Sequence, residues 1–237
     1  MTPRTGSVVD AARVFVGAVV GLVIVGGAAS AAQPWPGRVE ASAGAAWIEG
    51  AALGSQDALL TENVRTDPGR LRLFATESDF EAAPAVEARL GFRVSSVFTV
   101  EGHFGYARPR VVTRISDDFE GAPATMATAT LSQYIVDASL VAHLTGASAR
   151  DGRLVPFVIG GAGYLRQLHR GARVVGSGTI LHVGGGLKYL MRRTPEHRLK
   201  GVGVRGDVQI QIQRNGFDIE DRQRTAASGG ASVFLLF

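Results

Sequence analysis

The chain has no cysteine among its 237 residues. Disulfides and thiolate metal sites are therefore excluded, while the redox compartment stays open. Past the N-terminus no apolar run approaches the roughly 18 residues of a membrane-crossing helix. No stretch has the 3.6-residue apolar period of a long amphipathic helix either. Charge of one sign is scarce: the formal net charge is +4, spread along the chain, which gives no electrostatic footprint for nucleic acid. Catalytic signatures are also missing. There is no G-x-S-x-G and no His-Glu cluster with metal-ligand spacing.

What is present begins with a leader. Arg4 and Arg13 precede the apolar run Val14 to Ala29, and Ala29-Ser30-Ala31 fits the small-x-small cleavage rule. Residues 1–31 are expected to be a signal peptide, with cutting before Ala32, and residues 32–237 a single β-barrel domain. The alternative is an uncleaved anchor, for which the run is short and is followed at once by Pro34 and Pro36.

Beyond the leader, apolar and polar residues alternate with the period of two that marks strands. Val86, Ala88, Leu90, Phe92 and Val94 oppose Glu87, Arg89, Gly91 and Arg93. Val100, Gly102, Phe104 and Tyr106 oppose Glu101, His103 and Gly105. Tyr134, Val136, Ala138, Leu140 and Ala142 oppose Gln133, Asp137, Ser139 and His143. Leu181, Val183, Leu187, Tyr189 and Met191 oppose His182, Gly184, Gly186 and Lys188. The segment Gly201 to Gly216 contains a literal G-x-G-x-x-G and an Arg205-Gly206-Asp207 tripeptide. A dinucleotide loop needs a helix after the glycines. Here Val208, Ile210 and Ile212 alternate with Gln209, Gln211 and Gln213, so the segment reads as one more strand. A first strand near Val39 to Leu53, a fifth at Leu154 to Leu168 and a last at Thr225 to Phe237 bring the count to eight, with ten as the alternative. The faces of the first and fifth are not assignable from the pattern. Gly54 to Glu81 is the least defined region; Arg70 to Phe74 within it extends a strand or starts another hairpin.

Strands of 10 to 15 residues exceed the modal 5 to 6 of soluble domains and suit a tilted bilayer crossing of about 9 to 11. In lipid every backbone polar group must be paired, so such a sheet must close. The expected fold is an all-β, antiparallel, up-and-down transmembrane barrel. Its polar face is rich in glycine and carries opposite charges two residues apart, which suits a narrow, filled lumen better than a solvated exterior. The expected lumen network is Glu87, Arg89, Arg93, Glu101, His103, Asp137, His182, Lys188, Arg205 and Asp207, with Arg205 paired to Glu101 or Asp137. Phe92, Tyr106, Tyr134 and Tyr189 are expected in the aromatic girdles where rings meet headgroups.

The leader, the alternating strands, "VEGHFGY", "VGGGLKYLM" and the ending "GASVFLLF" resemble the small outer-membrane β-barrels of the OmpA/OmpX-like superfamily. The resemblance spans about Val39 to Phe237 and is architectural. It implies insertion from the periplasm into the outer membrane of a Gram-negative-type bacterium, amid outer-membrane lipid and lipopolysaccharide. It also implies that Val233, Leu235 and Phe237 are read by the barrel-assembly machinery, although Ser232 stands where such families often have glycine. No peptidoglycan-binding domain is expected after the last strand.

The function so implied is structural or loop-mediated, with no catalytic centre, no cofactor and no metal; the external loop partner is unknown. Arg65, Arg70, Arg72, Arg110, Arg114, Arg170, Arg173 and Arg222 are candidates for lipopolysaccharide phosphates, a chemistry that suits guanidinium groups. The other readings are a narrow pore, a lipid A-modifying enzyme and a secreted lipocalin-like barrel. For the enzyme, the His-x-Ser step of outer-membrane deacylases is absent, and His143-Leu144-Thr145 is the nearest relative.

Overall fold

The computed structural model describes residues 35–60, 71–169, 175–194, 196–214 and 223–237. The expected leader and its cleavage site lie outside these residues. The described chain forms eleven strands: β1 (Val39–Ile48), β2 (Ala51–Leu60), β3 (Leu71–Phe80), β4 (Ala83–Arg93), β5 (Phe98–Ala107), β6 (Arg110–Ser116), β7 (Thr125–His143), β8 (Leu154–His169), β9 (Val175–Arg193), β10 (Gly201–Arg214) and β11 (Arg224–Leu236). All pairings are antiparallel.

Eight of these strands close on themselves in the order β1, β4, β5, β7, β8, β9, β10, β11. The seam is β1 against β11, running from Glu40↔Leu236 to Ile48↔Ser228. Closure leaves the wall no edge, the condition lipid imposes on a sheet. The three additional strands are not extra staves. β2, β3 and β6 stand above β1, β4 and β5 and pair with one another and with the first part of β7 in the order β2-β3-β6-β7. Gly54, at φ +111°, marks a bulge in β2, and Pro109, which has no N–H to donate, separates β5 from β6. The poorly defined segment of the sequence therefore contains an upright hairpin, with Arg72 to Phe74 inside β3. Leu53, Val111, Leu131 and Phe80 form the small apolar cluster at its base.

The floor is made of short connections. In the turn after β4, Val94 N–H donates to Phe98 O at 3.0 Å, and Ser95 Oγ accepts from Phe98 N–H at 3.0 Å. A single 3₁₀ turn, Thr145–Ala147, lies between β7 and β8.

Within the eight staves the two faces differ sharply. Leu90 is 62% exposed and Arg205 1%, an inversion of the water-soluble pattern. Val86, Val100, Phe104, Val136, Leu140, Leu187, Val204 and Val208 continue the exposed apolar belt. Tyr106 and Tyr134 touch at 5.0 Å between ring centroids at its outer end; Trp47 shares that end, paired with Pro84. Phe92, Tyr189 and Phe237 lie toward the floor, Phe92 opposite Val39 and Tyr189 opposite Leu154.

A midplane cation on the lipid side costs about 2 to 4 kcal/mol. Leu90→Arg should therefore destabilise the barrel by about that amount when unfolding is measured in lipid vesicles, whereas a neutral result would mean that Leu90 does not face lipid.

Candidate functional site

The inward positions build a layered plug. At the floor, Trp35 stacks on Phe234 with centroids 5.4 Å apart and planes 14° from parallel. Its Nε1 donates to Gly152 O at 2.7 Å, and Arg93 Nη1 donates to its carbonyl. Val155, Leu190 and Leu236 pack around it. Above this apolar layer, Lys188 Nζ donates to Glu40 Oε1 at 2.6 Å and lies 5.6 Å from the Phe157 ring centroid. Burying an ammonium needs such a partner.

The next layer is a carboxylate–guanidinium cluster. Arg205 Nη1 reaches Glu101 Oε2 at 2.7 Å and its Nε reaches Asp207 Oδ1 at 2.9 Å, while its Cζ lies 4.5 Å from the Phe157 centroid. Arg89 bridges Asp207 and Glu87, each at 2.9 Å. Three carboxylates, Glu87, Glu101 and Asp207, thus share two guanidinium groups. Asp137 turns from the arginines to imidazoles: His103 Nδ1 lies 2.5 Å from its Oδ2 and His182 Nε2 lies 3.4 Å from its Oδ1.

All ten residues expected in the lumen line its inner wall, but not as one unit. Arg93 is at the floor, bound to a carbonyl, and Lys188 belongs with Glu40. Arg205 pairs with Glu101 and not with Asp137. Glu40 and Trp35 escaped the sequence reading. β1 offers only one charge among small residues, so its faces show little contrast. β8 hides its inward set, Val155, Phe157 and Ile159, because both faces of that strand are apolar. Val233, Leu235 and Phe237 point away from the lumen, whereas Phe234 and Leu236 fill it. Of the outer arginines, Arg72 is held by Asp57 and Asp117, each at 3.0 Å. Arg110 lies 4.0 Å from Glu81, and Arg114 is exposed on β6. Arg65, Arg70, Arg170, Arg173 and Arg222 lie outside the described residues.

Folding also joins residues that no local motif linked. Ser139 Oγ lies 3.1 Å from His182 Nε2, and His182 Nδ1 lies 2.9 Å from Gln209 Oε1. The Gln209 amide is oriented by its own donation to Asp207 at 2.7 Å. This is the order of a nucleophile, a base and an orienting group. The serine has one hydrogen to donate, and Asp137 Oδ1 at 3.1 Å competes with the imidazole for it. The β8 wall closes over the pair: a Cβ on Gly161 would lie 2.5 Å from His182 Nε2 and 2.6 Å from Ser139 Oγ. A scissile carbonyl has no approach from that side. Among the described residues no three His, Asp or Glu side chains gather as a metal cluster.

Two solved structures are similar in fold. Neisserial surface protein A matches with a TM-score of 0.50 and 11% identity over 84% of this chain and 97% of its own. The outer membrane protein OprG from Pseudomonas aeruginosa matches with a TM-score of 0.48 and 10% identity over 86% of this chain and 97% of its own. No family model matches the sequence, and no curated protein does. At 11% identity the first likeness speaks for the fold alone, a barrel of antiparallel strands.

Removing one partner of a buried ion pair typically costs about 3 to 5 kcal/mol because the other charge is stranded. Arg205→Met should show a loss of that size in vesicle unfolding. Adding Glu101→Leu should restore part of it, whereas strictly additive losses would mean that the two side chains do not interact.

Proposed function

We propose that the protein is an integral outer-membrane β-barrel of the Gram-negative type, with a closed lumen, no catalytic centre and a structural or loop-mediated role. The observation that carries this reading is the inverted surface. A closed barrel with an apolar belt outside and ion pairs inside has bilayer lipid as its solvent. The same surface argues against a secreted, lipocalin-like barrel.

The closed lumen rests on its contents. The Trp35–Phe234 stack covers the floor, and the Lys188–Glu40 and Arg205–Glu101 layers fill the section above it. These layers disfavour the narrow pore. The enzyme reading has one feature on its side, the Ser139–His182 pair, but that pair is buried against Gly161 and set inside the wall, away from lipid.

Insertion would follow export directed by residues 1–31, with Val233, Leu235 and Phe237 presented to the barrel-assembly machinery as β11 joins β1. The upright β2-β3-β6-β7 sheet is the surface best placed to meet an external partner. Arg110 and Arg114 are its candidates for lipopolysaccharide phosphates, since Arg72 already holds two carboxylates. No cofactor is assigned.

Expression in a Gram-negative host should give a heat-modifiable band in the outer-membrane fraction, no conductance steps in planar bilayers and an unchanged lipid A mass spectrum. A detergent-free soluble chain would overturn the membrane assignment. Ohmic steps would overturn the closed lumen, and a new lipid A species the non-catalytic role. Replacing Arg110 and Arg114 together by Ala should reduce co-purifying lipopolysaccharide, and unchanged co-purification would remove that partner.

A further inference from the structure

Above the ion cluster the lumen is not completely filled. A recess of about 30 Å³ remains, lined among others by Glu87, Arg89, His103, Asp207 and Gln211, with glycine walls at Gly105 and Gly230. That is room for a small ion with about one water. Three atoms of the lining residues are buried and lack a hydrogen-bond partner: Glu87 Oε1, His103 Nε2 and Gln211 Oε1. Glu87 and Gln211 are each more than nine-tenths buried. Unsatisfied polar atoms at such depth are costly, and three from separate strands lining one recess call for an occupant.

We infer that this recess binds a divalent transition-metal ion through Glu87, His103 and Gln211. The site would be new to the chain, and it does not depend on the membrane role proposed above. Four separate features point to it. First, His103 is prepared as a ligand: Asp137 holds Nδ1 at 2.5 Å, so in the neutral ring the lone pair is on Nε2. A carboxylate behind a ligating imidazole is the usual supporting arrangement for bound metal.

Second, Glu87 is anchored through one oxygen, with Arg89 donating to Oε2 at 2.9 Å, which leaves Oε1 free to ligate. Third, Glu87, Glu101 and Asp207 share two guanidinium groups and Asp137 pairs with imidazoles instead, an excess of carboxylate that a doubly charged cation offsets. Fourth, one imidazole with a carboxylate and an amide oxygen suits zinc, nickel or copper better than magnesium or calcium.

His103 Nε2 lies 3.8 Å from the Glu87 carboxylate at Oε2, the oxygen that Arg89 holds, so ligation through Oε1 requires the carboxyl group to turn toward the imidazole. The imidazole lies along the wall because Gly105 has no side chain; a Cβ there would meet His103 Cε1 at 3.2 Å. Water completes the coordination, as in a site that is not fully enclosed by protein.

The test uses the full mature barrel, untagged, folded in detergent and stripped with chelator. Zn²⁺ is titrated by calorimetry, and Co²⁺ by its visible absorption. The expected result is one saturable ion per barrel and a zinc-dependent rise in Tm. His103→Gln should weaken binding about 100-fold, and Gln211→Ala and Asp137→Asn about 10-fold each. His197→Gln, an exposed histidine on the floor turn, should leave binding unchanged. Heat-modifiable mobility selects the variants that fold; if His103→Gln fails this check, the Gln211→Ala and wild-type zinc titrations decide. Absence of saturable binding in the wild type overturns the proposal, as does wild-type affinity in a folded His103→Gln or Gln211→Ala barrel.

Discussion

A strand that faces lipid on one side and a charge cluster on the other has one permissible register. Sliding by a single residue would send Arg89 or Arg205 into hydrocarbon and draw Leu90 or Val204 into the ion layer. Because the barrel is closed, slippage in one stave would have to be absorbed by both neighbours. Antiparallel pairing fixes the backbone, but the choice among registers comes from this opposition of solvents. The described wall departs from strict pairing between Val202 and Gly203, near the floor and away from the central ion layer.

The same opposition explains why glycine collects inside. Arg89, Arg93, Lys188 and Arg205, the carboxylates of Glu40, Glu87, Glu101, Asp137 and Asp207, and the imidazoles of His103, His143 and His182 enter a lumen of eight staves, and the room for them comes from omitting other side chains. At Gly186 an added Cβ would lie 2.1 Å from Gly206 O, and at Gly163 2.3 Å from Asp137 Cβ. These positions are where neighbouring backbones and long polar side chains approach. Phe157 plays the complementary part: it presents its ring to Arg205 and to Lys188 at once, so an aromatic spacer stands against both cation layers.

Much of this could be read from alternation alone. In β4, β5, β7, β9 and β10 the charged and amide residues of the central wall gather on one face, often beside glycine, and the sign of each face is plain. Legibility fails where contrast fails. β8 is apolar on both faces because its inward half serves the apolar floor. β1 is mostly alanine, serine and glycine, so Glu40 gives little warning of its pairing with Lys188, 148 residues away. Ser139 meets His182 across a strand pair whose register no pattern supplies. The upright sheet was ambiguous for a different reason: β2 and β3 lie above the belt, where water replaces lipid and strict alternation is no longer enforced. Trp35 precedes the first strand and carries no periodic signal at all.

Trp35 also makes the bottom of the molecule sensitive to its seam. Its indole lies on Phe234 of the final stave, its carbonyl is grasped by Arg93 of the second, and its N–H reaches the β7–β8 connection. These three attachments come from distant parts of the wall, and they converge only after the first and last staves have zipped together. The indole therefore works as a keystone: it has no seat in a half-built ring, and once seated it ties together parts of the wall that could otherwise drift apart.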